Sequence, residues 1–217
     1  MTATKTSTRV LSVTFLTPQT FVLRFERNGL VFEPGQYLSV GLWGQREQRE
    51  YSIFSPTSSP WLEILVKVVE NGKVSRELAR LEPGAELSVD GPFGYFRIEP
   101  EHRGHPLLFL ATGTGISPFR CFVNSYPNLD YTLLHGIRRA SEQYAYDQFV
   151  RSRVVSCVSG ASEGDFSGRV TAYLESFQIK PQTQAFLCGN CDMIYNAFDI
   201  LRAKGVASSQ IFTEVYF

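Results

Sequence analysis

Apolar and polar residues alternate with a period of two through the first hundred positions. Phe21, Leu23 and Phe25 fall on one side of an extended chain, with Val22, Arg24 and Glu26 on the other. Leu38, Val40 and Leu42 repeat the pattern, as do Leu62, Ile64, Val66 and Val68. Successive side chains of a strand point to opposite faces, so each run predicts a β-strand. Asn28-Gly29, Pro34-Gly35, Asn71-Gly72, Pro83-Gly84 and Gly91-Pro92 separate the runs as turns. Short strands with regular turns predict an antiparallel barrel or sandwich. One helical window interrupts them, Ser75 to Leu81, with Leu78 and Leu81 spaced for one face and Ser75 as the expected N-cap.

The rhythm changes after Pro100. Leu107 to Ala111 is a continuous apolar run, followed by a glycine-rich turn and a predicted helix from Ser117 to Ser125. Tyr131 to His135, Val154 to Val158, Ala185 to Cys188 and Ile211 to Tyr216 predict four further strands. Helices are predicted between them over Ser141 to Val150, Gly168 to Phe177 and Asp192 to Ala203. Alternating strands and helices predict a doubly wound, five-stranded parallel sheet. The expected division is therefore residues 1–100, a linker over 101–106, and an α/β domain over 107–217.

Bulk properties narrow the function. The 217 residues carry 21 basic and 21 acidic side chains, so no global field recruits nucleic acid or an anionic membrane. No apolar run approaches the ~20 residues that span a bilayer. The first eight residues are polar and show no secretory core, which sets a cytoplasmic protein as the expectation. Of four cysteines, Cys188 and Cys191 form a C-x-x-C, but no second pair at ligand spacing accompanies it, so no metal site is expected. His102 to His105 reads as a solvated linker, and His135 as structural.

Four segments carry chemistry. Arg49-Glu50-Tyr51-Ser52 places a cation and an aromatic plate on one face of a strand, with a short hydroxyl on the other. Such a set suits a flat, phosphorylated ligand, although Arg-x-Tyr-Ser also arises by chance. Gly72-Lys73-Val74-Ser75 opens the short helix, where free N–H groups suit a phosphate and where Ser75 equally serves as a cap. Thr112-Gly113-Thr114-Gly115-Ile116-Ser117-Pro118 follows an apolar strand and opens a helix, with Pro118 in the first turn. Its small residues let backbone approach a phosphate, without matching G-x-G-x-x-G or a Walker loop. Leu187-Cys188-Gly189-Asn190 ends a strand where an α/β sheet lines its crevice. The chain stops on Glu214-Val215-Tyr216-Phe217, at the end of the last predicted strand.

In order, Arg49-x-Tyr51-Ser52, Gly72-x-Val74-Ser75, Gly91-Pro92-Phe93-Gly94, Gly113-Thr114-Gly115-Ile116-Ser117-Pro118, Cys188-Gly189 and Glu214-x-Tyr216 resemble the ferredoxin–NADP reductase family over nearly the whole chain. The resemblance implies an FAD-binding antiparallel β-barrel followed by an NADP-binding α/β domain. It implies that Arg49 pairs with the FAD pyrophosphate, completed by Gly72, Lys73, Val74 and Ser75. Tyr51 would stack on the flavin, Ser52 would lie near its N5, and Tyr216 would cover the other face. Phe217 resembles a terminal aromatic that contacts the FAD adenine in some bacterial members. Thr114 and Gly115 would face the nicotinamide nucleotide. Cys188, with Gly189 beside it, would lie by the nicotinamide C4, and Glu214 would be the acid of the hydride-transfer site.

A 2′-phosphate calls for cations after the second and third strands of the nucleotide domain. Arg138 and Arg139 follow the second, and Arg138 and Arg169 resemble family phosphate ligands. Gly160 stands where bacterial NADP-specific relatives often carry arginine, so NADPH is expected with NADH use left open. The implied reaction is hydride exchange between NADP(H) and FAD, then one-electron exchange with a ferredoxin or flavodoxin, by a monomer. Arg24, Arg27, Arg46, Arg76 and Arg80 are candidates for docking an acidic partner. A flavin reductase, an oxygenase reductase component and a non-catalytic flavin-fold regulator remain as alternatives.

Overall fold

The computed structural model describes residues 6–216. Two compact units divide the chain: one runs to Arg97 and includes Arg120–Ser125, the other comprises Ile98–Phe119 and the chain from Tyr126 onward.

The first unit is antiparallel. Its strands are β1 (Thr6–Thr17), β2 (Thr20–Glu26), β3 (Tyr37–Leu42), β4 (Arg49–Ser52), β5 (Trp61–Lys67) and β6 (Glu86–Phe93), in the order β4-β3-β6-β1-β2-β5. β1 makes the sheet continuous by pairing with β6 through Thr6–Arg9 and with β2 through Val10–Thr17. The edges β4 and β5 meet, among the described residues, through one antiparallel bridge, Ile53–Ile64, so the curved sheet is an open barrel rather than a closed ladder. The interior takes Phe21, Leu23 and Phe25 from β2 and Leu62, Ile64 and Val66 from β5, the alternate positions of the sequence pattern. In β5 the opposite face is buried as well, at Glu63 and Leu65.

Helix α1 (Lys73–Leu78) starts two residues earlier than its sequence pattern predicts. Gly72, not Ser75, is its N-cap. Ser75 lies inside the first turn, and its hydroxyl accepts the Val69 N–H (3.1 Å). The serine therefore ties the helix to the loop before it.

The second unit is a parallel sheet of β7 (Leu107–Thr112), β8 (Tyr131–Ile137), β9 (Val154–Val158), β10 (Phe166–Ser167), β11 (Gln184–Asn190) and β12 (Ile211–Tyr216). Their order is β10-β9-β8-β7-β11-β12. Six strands replace the expected five, because β10 is a two-residue edge pairing with Cys157 and Val158. Helices α2 (Ser117–Ser125), α3 (Val170–Ser176) and α4 (Cys191–Ala203) connect the strands. The helix predicted over Ser141 to Val150 does not form. Its place is taken by 3-10 turns at Ala140–Glu142 and Tyr146–Gln148, separated by Ala145 in the left-handed region (φ +54°). The residues read as a solvated linker are partly packed: His102 lies on Phe212 (ring centroids 5.3 Å) and Arg103 on Tyr126 (4.0 Å). No helix among the described residues is long and apolar enough to cross a membrane.

Candidate active site

In the first unit, β4 orders the Arg49 segment. Arg49 and Glu50 are exposed, Tyr51 half-buried and Ser52 buried, so burial deepens along the strand from its start to its end. Burial pushes the Tyr51 phenol up to about 12, against the opposing charge of Arg49, so the ring stays neutral. Lys73 pairs with Glu47 (3.3 Å), which brings the start of α1 beside the entry to β4. A side chain at Gly72 would meet Ser75 Oγ at 2.9 Å and Val69 Cβ at 3.0 Å, so the turn is bare backbone by necessity. An exposed arginine head, held by one bond from Nη1 to the Gln48 carbonyl (2.8 Å), a neutral aromatic plate and a helix start capped by a bare glycine fit a ring joined to a pyrophosphate.

In the second unit, the strand sequence runs outward from β7 in both directions. The order reverses between β7 and β11, and open α/β sheets bind ligands at the carboxyl edge of such a switch point. Two backbone segments meet there. The 3-10 turn Gly113–Ile116 leaves β7, and Cys188-Gly189-Asn190 ends β11. They are in van der Waals contact: a Cβ on Gly115 would lie 2.4 Å from the Cys188 carbonyl oxygen, and one on Gly189 2.3 Å from Thr112 Oγ1. Thr112 Oγ1 accepts the Asn190 N–H (2.9 Å), and Asn190 Oδ1 caps α4 by accepting the N–H groups of Asp192 and Met193. Thr114 sits half-buried on this turn, its carbonyl accepting the Ser117 hydroxyl (2.8 Å). Gly115 and Gly189, where no side chain fits, leave bare backbone at this edge, which suits the close approach of a dinucleotide.

β12 lies alongside β11 with Cys188 opposite Glu214 and Asn190 opposite Tyr216. The fully buried Cys188 thiol is held well above its ordinary pKa, first by burial and then by the Glu214 charge, against a hydrogen bond from Tyr216. It is therefore a neutral thiol, and Cys188, Glu214 and Tyr216 are brought together at one edge. All four cysteines are free, so the C-x-x-C is not a disulfide. Phe217 lies outside the described residues.

Arg138 and Arg139 are exposed at the end of β8, and Arg169 is exposed at the N-cap of α3. Val170 packs on Gly136, where a Cβ would approach it to 3.0 Å, so the start of α3 adjoins the end of β8. Gly160 donates its N–H to the Arg138 carbonyl (2.9 Å), and a Cβ there would lie 2.4 Å from that oxygen. The departure at Gly160 thus has a steric reason: its backbone occupies the space beside Arg138.

Two docking candidates are engaged internally. Arg24 binds Glu63 (2.7 Å), and Arg27 donates to the carbonyls of Leu30, Thr57 and Ser59 (2.7 Å each). Arg46, Arg76 and Arg80 stay exposed. Thr112 and Asn190 stand inside the segments singled out in the sequence, without a role assigned there; in the fold their bond joins the two backbone segments. Their polar side chains at two strand ends were the available signal.

The family model of the oxidoreductase FAD-binding domain matches residues 8–98. Ferredoxin–NADP reductase B of Sorangium cellulosum is 30% identical, over 96% of this chain and 96% of its own. The reductase component of propane 2-monooxygenase from Mycolicibacterium goodii is 27% identical, over 85% of this chain and 59% of its own. A ferredoxin NADP+ reductase from Neisseria gonorrhoeae, solved with FAD and NADP, shares the fold at a TM-score of 0.89 and 22% identity, covering 98% and 99% of the two chains. With its paired units and matching FAD domain, the chain belongs to the ferredoxin–NADP reductase family of FAD-dependent oxidoreductases.

Proposed function

We propose that the protein moves electrons between NADP(H) and a ferredoxin or flavodoxin, as a cytoplasmic monomer. In this reading residues 1–100 hold FAD, 101–106 link, and 107–217 hold the dinucleotide. The observation that carries it is the edge where Cys188, Glu214 and Tyr216 converge beside a turn whose Gly115 has no room for a side chain. FAD, when bound, supplies hydride acceptance and single-electron release. Arg49 and the backbone of Gly72 to Ser75 would hold its pyrophosphate, Tyr51 and Tyr216 would hold its ring, and Ser52 is assigned to its reactive edge. Thr114, Gly115, Cys188 and Gly189 seat the nicotinamide half, and Arg138, Arg139 and Arg169 the 2′-phosphate. Phe217 is assigned to the FAD adenine on the resemblance alone. Arg46, Arg76 and Arg80 supply positive charge for an acidic protein partner.

Purified protein should be yellow, with about one FAD per chain, as stable binding by a dedicated domain requires. A colourless protein that reduces added flavin would instead be a flavin reductase. Arg138→Ala should weaken NADP+ by about 10- to 100-fold, the worth of a charge-assisted phosphate contact, and leave NAD+ unchanged. Equal losses by calorimetry would place the 2′-phosphate elsewhere. Glu214→Gln should keep FAD yet slow reduction by NADPH roughly 100-fold, within the range for loss of a positioned acid or base. A normal stopped-flow rate would reject that role.

A further inference from the structure

His135 is fully buried at the end of β8, with both ring nitrogens engaged. Nε2 lies 2.8 Å from the Gly113 carbonyl and Nδ1 lies 3.0 Å from the Tyr146 hydroxyl. A carbonyl only accepts, so Nε2 carries the proton. Nδ1 of the neutral ring is then an acceptor, and the Tyr146 hydroxyl donates to it. The ring performs both tasks only as this one neutral tautomer. Burial favours that form, lowering the imidazolium pKa to about 4 against the opposing Gly113 bond.

The two ends of this chain of bonds belong to different parts of the dinucleotide site. Gly113 opens the turn under the switch point in a left-handed conformation (φ +52°). Tyr146 belongs to the segment that begins at Arg138 and Arg139. That segment is not a helix. Glu142 accepts the Arg138 N–H (3.1 Å), Ala145 turns the backbone left-handed, and the next residue reaches back to His135. The Tyr146 hydroxyl is thus an anchor for a loop with little regular structure of its own.

We propose that His135 and Tyr146 are positioning residues that lock the arginine-bearing loop to the nucleotide turn, and so set the preference for a dinucleotide with a 2′-phosphate. The proposal rests on the placement of the dinucleotide given under Proposed function. Tyr146 bears on the 2′-phosphate end alone, whereas His135 bears on both ends.

Calorimetric titration of the FAD-loaded protein with NADP+, NAD+ and 2′-phospho-AMP tests it. Tyr146→Phe keeps the ring and removes one hydrogen bond. It should weaken NADP+ and 2′-phospho-AMP about fivefold and leave NAD+ unchanged. His135→Leu should weaken both dinucleotides. His135→Gln retains a donor and an acceptor and should recover most of the loss. If the histidine variants fold poorly, nitrogen NMR of the wild type still decides, because Nδ1 must be the unprotonated nitrogen at neutral pH. An Nδ1–H tautomer, or Tyr146→Phe with unchanged or uniformly weakened affinities, overturns the proposal while wild-type binding of NADP+ keeps the dinucleotide site in place. A wild-type protein that binds neither dinucleotide overturns both.

Discussion

Replacing Glu63 with alanine is expected to cost about 3–5 kcal/mol of stability, the range for removing one partner from a buried ionic cluster. Glu63 lies mid-strand in β5 with its side chain 5% exposed. One carboxylate oxygen accepts from Arg24 Nε (2.9 Å) and Nη2 (2.7 Å), and the other from Arg120 Nη1 (2.9 Å). Arg120 is itself 15% exposed, lies on the Phe54 ring (4.1 Å) and donates to the Phe54 carbonyl (2.8 Å). Arg24, 39% exposed, covers Trp61 (4.3 Å). Deleting the acid leaves the Arg120 charge desolvated with no anion to balance it. Arg24→Met should cost only about 1 kcal/mol, because that head is already solvated. Both tryptophans, Trp43 and Trp61, lie in the first unit, so their fluorescence in urea reports this unit's unfolding. A loss below about 1 kcal/mol for Glu63→Ala would show that water replaces the carboxylate without penalty.

This cluster marks where sequence reading stops. Leu62, Ile64 and Val66 announce one buried face of β5, and alternation assigns Glu63 to the solvent. The bridge to Ile53 and the inclusion of the distant residues 120–125 in this unit bury both faces, and no local pattern foretells that. Where periodicity is long, the reading holds to the residue: Ser117–Ser125, Val154–Val158 and Ile211–Tyr216 are formed as predicted. It fails over Ser141 to Val150, whose helix-compatible residues are overridden by a bond from Tyr146 to His135 and a left-handed Ala145. β10, at two residues, is too short for any period to register. At the site, the turn and the Cys188 segment are legible as separate small-residue motifs. Their contact comes from strand order, which places β7 beside β11 although more than 70 residues separate them.

That contact makes Gly115→Ala the direct test of how closely the nucleotide turn must approach β11. Gly115 has no left-handed backbone to protect, so its need for hydrogen is purely one of space. An added methyl would sit 2.4 Å from the Cys188 carbonyl oxygen, 2.7 Å from its carbon and 2.9 Å from Gly189 Cα. All three are backbone atoms of β11, hydrogen-bonded on both sides to β7 and β12. They cannot yield as a side-chain end does, so the turn must lift, carrying Thr114 and Gly113 away from the switch point. Overpacking of this kind costs about 1–3 kcal/mol, and a site rigid enough to require it should lose about tenfold or more in NADP+ affinity. Gly113→Ala is the control. No atom lies within 4 Å of its added methyl, so only the left-handed backbone is penalised, by about 1 kcal/mol. Both variants should retain FAD, because Gly113 and Gly115 belong to the second unit. Calorimetric NADP+ affinities that fall equally in the two would mean that backbone conformation, and not the close approach to β11, governs this turn.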